Sequence, residues 1–159
     1  MNQKGFTLIE LLVVVAIIGV LAAVGVVAFQ GFLKSSKKTA CLGNHQVVSK
    51  FVSTSLMRCA LGNQEVDMVN AGGSQTPLSC NNQTNTFASN FMSHFEGIKL
   101  MSPFSKNHPY QVVVSGPNLG ETVISAISTK TIKVESCCEE SCSTNIISDT
   151  YDCETCRTF

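Results

Sequence analysis

The chain begins with a stretch that has no polar period. From Leu11 to Leu33 no residue is charged, and Glu10 and Lys34 bracket the run. As a helix it would be roughly 35 Å long, enough to cross a hydrocarbon core of about 30 Å. Helical spacing then continues as a one-sided stripe of Val47, Val48, Phe51, Val52, Leu56 and Cys59, the pattern of a helix with one buried face. Gly62-Asn63 follows as a stop signal. These positions predict a single helix from about Thr7 to Leu61, half anchor and half core of a globular head, with Gly43 as a local weak point.

Residues 62–85 contain Gly72-Gly73, Pro77 and Asn81-Asn82 and read as an irregular loop. Phe87, Phe91, Phe95 and Ile98 form a second, shorter stripe that ends near Gly97, and core packing explains it. Ser102-Pro103 and His108-Pro109 then break the chain. Three strand-like runs follow: Tyr110–Ser115, Thr122–Ser128 and Thr131–Glu135. The expected fold class is α+β: one long N-terminal helix packed on a small antiparallel sheet, with a cysteine-rich C-terminal tail. No internal repeat is visible.

Composition narrows the class. The chain has 159 residues, suited to one domain, and 14% are charged, against about 25% in an average soluble protein. Eleven basic and eleven acidic side chains cancel, which argues against a general polyelectrolyte for nucleic acid or membrane surfaces. Collagen, a disordered tail and a polytopic transporter are excluded. A small head with an apolar segment attached remains.

Three readings compete for that segment. A removable secretory signal has an apolar stretch of about 7–15 residues, shorter than this one, although Val26-Val27-Ala28 would offer a cut after Ala28. An uncleaved anchor fits the length but leaves Glu10 unexplained, since a carboxylate in a membrane usually has a partner. The third reading starts from Met1-Asn-Gln-Lys-Gly5, a short polar leader, followed by Phe6-Thr-Leu-Ile-Glu10 and the apolar run. This arrangement resembles the type III signal of type IV pilins and of the type II secretion pseudopilins.

The resemblance implies that a prepilin peptidase cuts between Gly5 and Phe6 and N-methylates Phe6, and that Glu10 directs assembly. It implies a leader at 1–5, a transmembrane and filament-core helix at 6–33, and a pilin head at 34–159. The chemistry is compatible. Gly5 lets an extended backbone lie close to a protease's carboxylates. A new ammonium at Phe6, in or near hydrocarbon, needs a counter-ion, and Glu10 of a neighbouring subunit would supply it. Two features depart from the family pattern. Many pilins have a helix-loosening proline where this chain has Val27, leaving Gly19 and Gly25 as the weak points. Lys34, Lys37 and Lys38 outnumber Lys4, so the positive-inside rule opposes an external C-terminus.

Eight cysteines, Cys41, Cys59, Cys80, Cys137, Cys138, Cys142, Cys153 and Cys156, are all disulfide candidates. Cys41 and Cys59 cannot pair along one straight helix, because 18 residues rise roughly 27 Å where a disulfide needs about 6 Å. Five cysteines crowd the tail, so full pairing needs a link to an upstream cysteine. The favoured set is Cys59 with Cys80, and Cys142 with Cys153 or a neighbouring pair closing the tail, as pilins commonly staple their C-terminal loop. A four-thiolate zinc site from Cys138, Cys142, Cys153 and Cys156, and a redox CxxC at Cys153-Glu-Thr-Cys156, are the sharper alternatives.

Charge is segregated: residues 34–133 are basic, and 134–159 carry Glu135, Glu139, Glu140, Asp149, Asp152 and Glu154 against Arg157. The acidic tail is therefore expected either to dock on a neighbour's Lys34, Lys37 and Lys38 or to be an ordinary solvated face. His45, His94 and His108 are isolated in sequence, and no catalytic motif, metal site or cofactor site is expected. The reading as a whole is a non-enzymatic type IV pilus subunit serving adhesion, motility or DNA uptake, with a pseudopilin driving protein secretion as the alternative. Its expected partners are further copies of itself, the prepilin peptidase, an assembly platform and the inner membrane before assembly. Nucleic acid is a possible partner that no motif supports. The expected location is the inner membrane as precursor and then an extracellular filament, or a periplasmic pseudopilus in the alternative.

Overall fold

The computed structural model describes residues 5–104 and 117–156. Helix α1 runs Leu8–Ala60, within one residue of the expected span at each end. The chain divides into two compact units, Met1–Ser36 and Lys37–Phe159. In the first, α1 buries nothing: Leu8, Leu21, Val27 and Phe29 are all exposed. The stretch is long and apolar enough to span a membrane, and none of it is buried within the chain.

In the second unit the rest of α1 packs on the head. Its buried positions are Cys41, His45, Val48, Ser49, Val52, Ser55, Leu56 and Cys59, a repeat of three and four residues. Val47, expected on this face, is half exposed, and the polar His45 and Ser49 take its share of the interface. The helix stops at Gly62, whose φ of +95° suits glycine. Asn63 N–H then reaches back to the Arg58 carbonyl at 3.2 Å, the Schellman arrangement.

Residues expected to be loop contain an antiparallel hairpin, β1 (Glu65–Val69) with β2 (Gln75–Ser79). Val66 and Met68 alternate inward, and the Asn70–Ser74 turn closes through the Asn70 N–H bond to the Ser74 carbonyl at 2.8 Å. Helix α2 (Thr84–Gly97) follows as expected. A second sheet has the order β3 (Thr122–Ala126), β4 (Thr131–Cys137) and β5 (Ile146–Asp152), an antiparallel meander. β5 lies in the segment read as tail, and the expected strand at Tyr110–Ser115 lies outside the described residues.

Val48, Val52 and Leu56 of α1, Phe87, Phe91 and Phe95 of α2, Val66 and Met68 of β1, and Ile124, Ile132 and Val134 of the sheet share one core. Each large side chain buried there contributes about 1.5–3 kcal/mol. The architecture is α+β and pilin-like: one long N-terminal helix, small antiparallel sheets and a disulfide-bonded C-terminal region.

Candidate functional site

The N-terminal site is built on helix capping. Gly5, Phe6 and Thr7 precede α1 and are not helical. Thr7 donates its backbone N–H to Glu10 Oε2 at 2.8 Å and its hydroxyl to the same oxygen at 2.7 Å, while Glu10 N–H reaches Thr7 Oγ1 at 3.4 Å. This is a capping box, in which a threonine at the N-cap and a glutamate three residues on satisfy each other's orphan donors. The Thr-x-x-Glu spacing was the sequence signal for it. Glu10 is thereby held one helical turn back, close to the start of the chain's helix, and Phe6 is 86% exposed.

In the head, the most concentrated polar chemistry surrounds His45. Its Nδ1 meets Ser136 Oγ at 2.8 Å and its Nε2 meets Asp149 Oδ2 at 3.1 Å. Ser49 Oγ–H donates to Asp149 Oδ2 at 2.7 Å, Tyr151 OH donates to the same oxygen at 3.4 Å, and Ser136 Oγ meets Thr122 Oγ1 at 2.6 Å. The Ser49 hydroxyl, with help from the His45 charge and hydrogen bonds, holds the Asp149 carboxyl below its ordinary range against the opposing effect of burial. Burial pushes the Tyr151 hydroxyl up.

A serine, a histidine and an aspartate in line suggest a nucleophile relay. Ser136 is 0% exposed and His45 5%, so no substrate reaches either of them. The network fastens α1 to β4 and β5 by satisfying polar groups inside the core. Spacing along the buried stripe, Cys41–His45–Val48–Val52, was the signal that placed His45 there. His94 packs between α1, α2 and β1, and His108 lies outside the described residues.

All eight cysteines are paired. Cys59 joins Cys80 as expected, and Cys41 on α1 joins Cys138, the upstream link that the odd tail count required. Of the two options expected for the tail, Cys142–Cys153 is not formed, and neighbouring pairs close it instead as two short loops, Cys137–Cys142 and Cys153–Cys156. The reason is strand β5, which separates Cys142 from Cys153 by its full length. Each cysteine of the four-thiolate set is thus in a disulfide. Among the described residues no group of three or more His, Cys, Asp or Glu side chains is placed to hold a metal ion.

The acidic tail also finds a basic partner within its own chain: Lys38 pairs with Glu139, beside the Cys41–Cys138 bond. Lys37 lies over the Phe104 ring, 5.9 Å from its centroid. The docking expected between subunits is in this part intramolecular, and a pair this exposed is worth about 0–1 kcal/mol.

Comparison with known proteins points the same way. The family model described as the prokaryotic N-terminal methylation motif matches residues 1–26. The chain is 35% identical to type IV major fimbrial protein FimA of Dichelobacter nodosus over 88 residues, covering 52% of this chain and 54% of that protein. It is 54% identical to fimbrial protein Q of Moraxella bovis over 41 residues, 26% of each chain. It is 36% identical to prepilin peptidase-dependent protein D of Escherichia coli (strain K12) over 78 residues, 48% of this chain and 49% of that one. The chain thus spans about half or less of the length of the curated relatives it matches. No solved structure matches it significantly.

An exposed, apolar helical segment of membrane-spanning length, joined to a disulfide-closed α+β unit, defines a protein carried on an apolar N-terminal helix. With the methylation motif over residues 1–26 and the partial matches to fimbrial proteins, the chain is similar to type IV pilins.

Proposed function

We propose that this chain is a structural subunit of a type IV pilus. Leader residues 1–5 are removed between Gly5 and Phe6 by a prepilin peptidase, which also methylates the Phe6 amine. Residues 6–33 anchor the processed subunit in the inner membrane and then form the filament core, while residues 34–159 form its outer surface. Assembly exchanges lipid contacts for helix–helix contacts, with Glu10 as counter-ion to the Phe6 amine of a neighbour. Adhesion, motility or DNA uptake would be the use of the finished fibre.

The observation that carries this reading is the helix run from Leu8 to Leu33, on which every residue is exposed and whose sole charge is Glu10. That much bare apolar surface requires lipid or copies of itself. Support for the cut site comes from the non-helical backbone at Gly5, where an added Cβ would meet nothing within 4 Å.

The test is the intact mass of protein sheared from cell surfaces, before and after reduction. Loss of Met1–Gly5 with gain of one methyl is expected, and reduction should add two hydrogens for each of the four disulfides. An uncut chain, or one cut after Ala28, would overturn the proposal. Glu10→Ala should abolish filaments while leaving the cut intact, and long surface filaments rather than a short envelope-bound stub would separate a pilus from a pseudopilus.

A further inference from the structure

The β1–β2 hairpin is held on α2 by an unusual set of contacts near its turn. Val69 N–H donates to His94 Nδ1 at 3.0 Å, and Ala71 N–H donates to Ser93 Oγ at 3.0 Å. Gly97 of α2 lies so near that a Cβ built on it would sit 2.1 Å from the Asn70 carbonyl oxygen. The His94 ring is fixed from two other sides. It stacks on Phe51 with centroids 4.2 Å apart and planes 9° from parallel, and it meets Phe95 edge-on at 5.3 Å.

An Nδ1 that accepts a hydrogen bond must carry a lone pair, so this ring is the neutral tautomer with its proton on Nε2. The protonated ring has N–H at both nitrogens and no acceptor at all. No rotation of the imidazolium can therefore restore a partner for Val69 N–H, and two donors would face each other across the contact. The Phe51 face would attract a cation, but both burial and the lost acceptor oppose it.

We propose that His94 is an acid-released latch, which holds the tip of the β1–β2 hairpin on α2 at neutral pH and frees it when the ring takes a second proton. The inference concerns the head alone and stands apart from the filament reading. Burial lowers the His94 pKa below its ordinary value. The open or unfolded form thus takes up the proton first, so the latch is fully closed above about pH 6.5 and is lost as pH falls from there through the folded value.

Around the ring, the stretch of α1 beyond His45 carries Lys50 and Arg58, β1 carries Glu65 and Asp67, and α2 carries Glu96, with Lys99 just beyond its end. Arg58 faces Asp67 at 4.0 Å. Opening is confined to the tip, because Cys80 at the end of β2 remains bonded to Cys59 of α1. Met68, next to the tip, is buried under the closed hairpin, so release exposes apolar surface there in acid.

Hydrogen exchange of the full chain in detergent tests this, read on peptides covering 65–79 and corrected for the intrinsic dependence of exchange on pH. Between about pH 7.5 and about pH 5, protection of the hairpin should fall on the order of tenfold, the size expected when a buried N–H loses its acceptor. Peptides from β4 should not change. His94→Asn places a non-titrating amide oxygen near the Nδ1 position, and the protection of its hairpin should not change with pH. Wild-type protection that does not change with pH, or an equal loss in His94→Asn, would overturn the proposal. If the variant does not fold, NMR of the wild type decides: the Val69 amide and the His94 ring should titrate together, and a ring that titrates while the amide stays fixed refutes the latch.

Discussion

Replacing Cys41 and Cys138 together by alanine should destabilise the head far more than the same change at Cys153 and Cys156. All four side chains are at least 95% buried, so the cavities left behind are alike and the comparison isolates chain closure. Cys41 and Cys138 are 97 residues apart, Cys153 and Cys156 only 3. Closure entropy for loops of these lengths corresponds to about 4.7 and about 1.6 kcal/mol. The Cys59–Cys80 bond shortcuts the longer loop by its 21-residue separation, but the dependence is logarithmic and the figure drops only to about 4.5 kcal/mol. The two double variants should therefore differ by about 3 kcal/mol, on the order of 10 °C in Tm for a unit of this size. Guanidinium unfolding of the unreduced full chain in detergent, followed by far-UV circular dichroism, measures it. Equal losses, or a larger loss at Cys153 and Cys156, would refute the reasoning. The short bridge would then act through contacts it makes in the buried cluster it shares with Cys59 and Cys80.

Two further expectations follow from the packing of the head. Gly97→Ala would gain about 0.5–1 kcal/mol of helix propensity, but its Cβ meets the Asn70 backbone at an overpacking cost of about 1–3 kcal/mol; thermal melts should show a net loss, and a rise in Tm would contradict the close approach. Asp149→Asn should cost about 1–3 kcal/mol at neutral pH by depriving Ser49 and His45 of a charged acceptor. Because the folded carboxyl has a depressed pKa, its stabilisation is complete above about pH 4 and fades as pH falls through the folded value. The difference between wild type and variant, measured by denaturant unfolding over an acid series, should shrink in that window, and a constant difference would mean that the charge is irrelevant.

Much of this architecture was legible because one physical signal dominated each element. The uncharged run from Leu11 to Leu33 admits only a helix that seeks lipid or its own kind, and Phe87, Phe91 and Phe95 fall on one helical face. β3 and β4 announced themselves through β-branched residues in short runs. The β1–β2 hairpin was hidden for the opposite reason. Each of its strands has five residues, Pro77 argued against the second, and Gly72-Gly73 looked like loop rather than a hairpin turn. Yet Glu65-Val66-Asp67-Met68-Val69 alternates as a half-buried strand does, and that period was the available clue.

β5 was concealed by its neighbours. Cysteines on either side drew Ile146–Asp152 into a tail, although Ile147, Asp149 and Tyr151 share one face by simple alternation. That face delivers Asp149 to His45 and Ser49, so the polar network could not be read before the strand was. The two described histidines make the general point. His45 has polar partners at both ring nitrogens, Ser136 on β4 and Asp149 on β5, so protonation leaves both contacts possible. His94 accepts from a backbone N–H at one nitrogen, so protonation breaks its contact. Both are isolated histidines in the sequence, and only the partner atoms, brought from strands 25 to 104 residues away, make one a fastener and the other a switch.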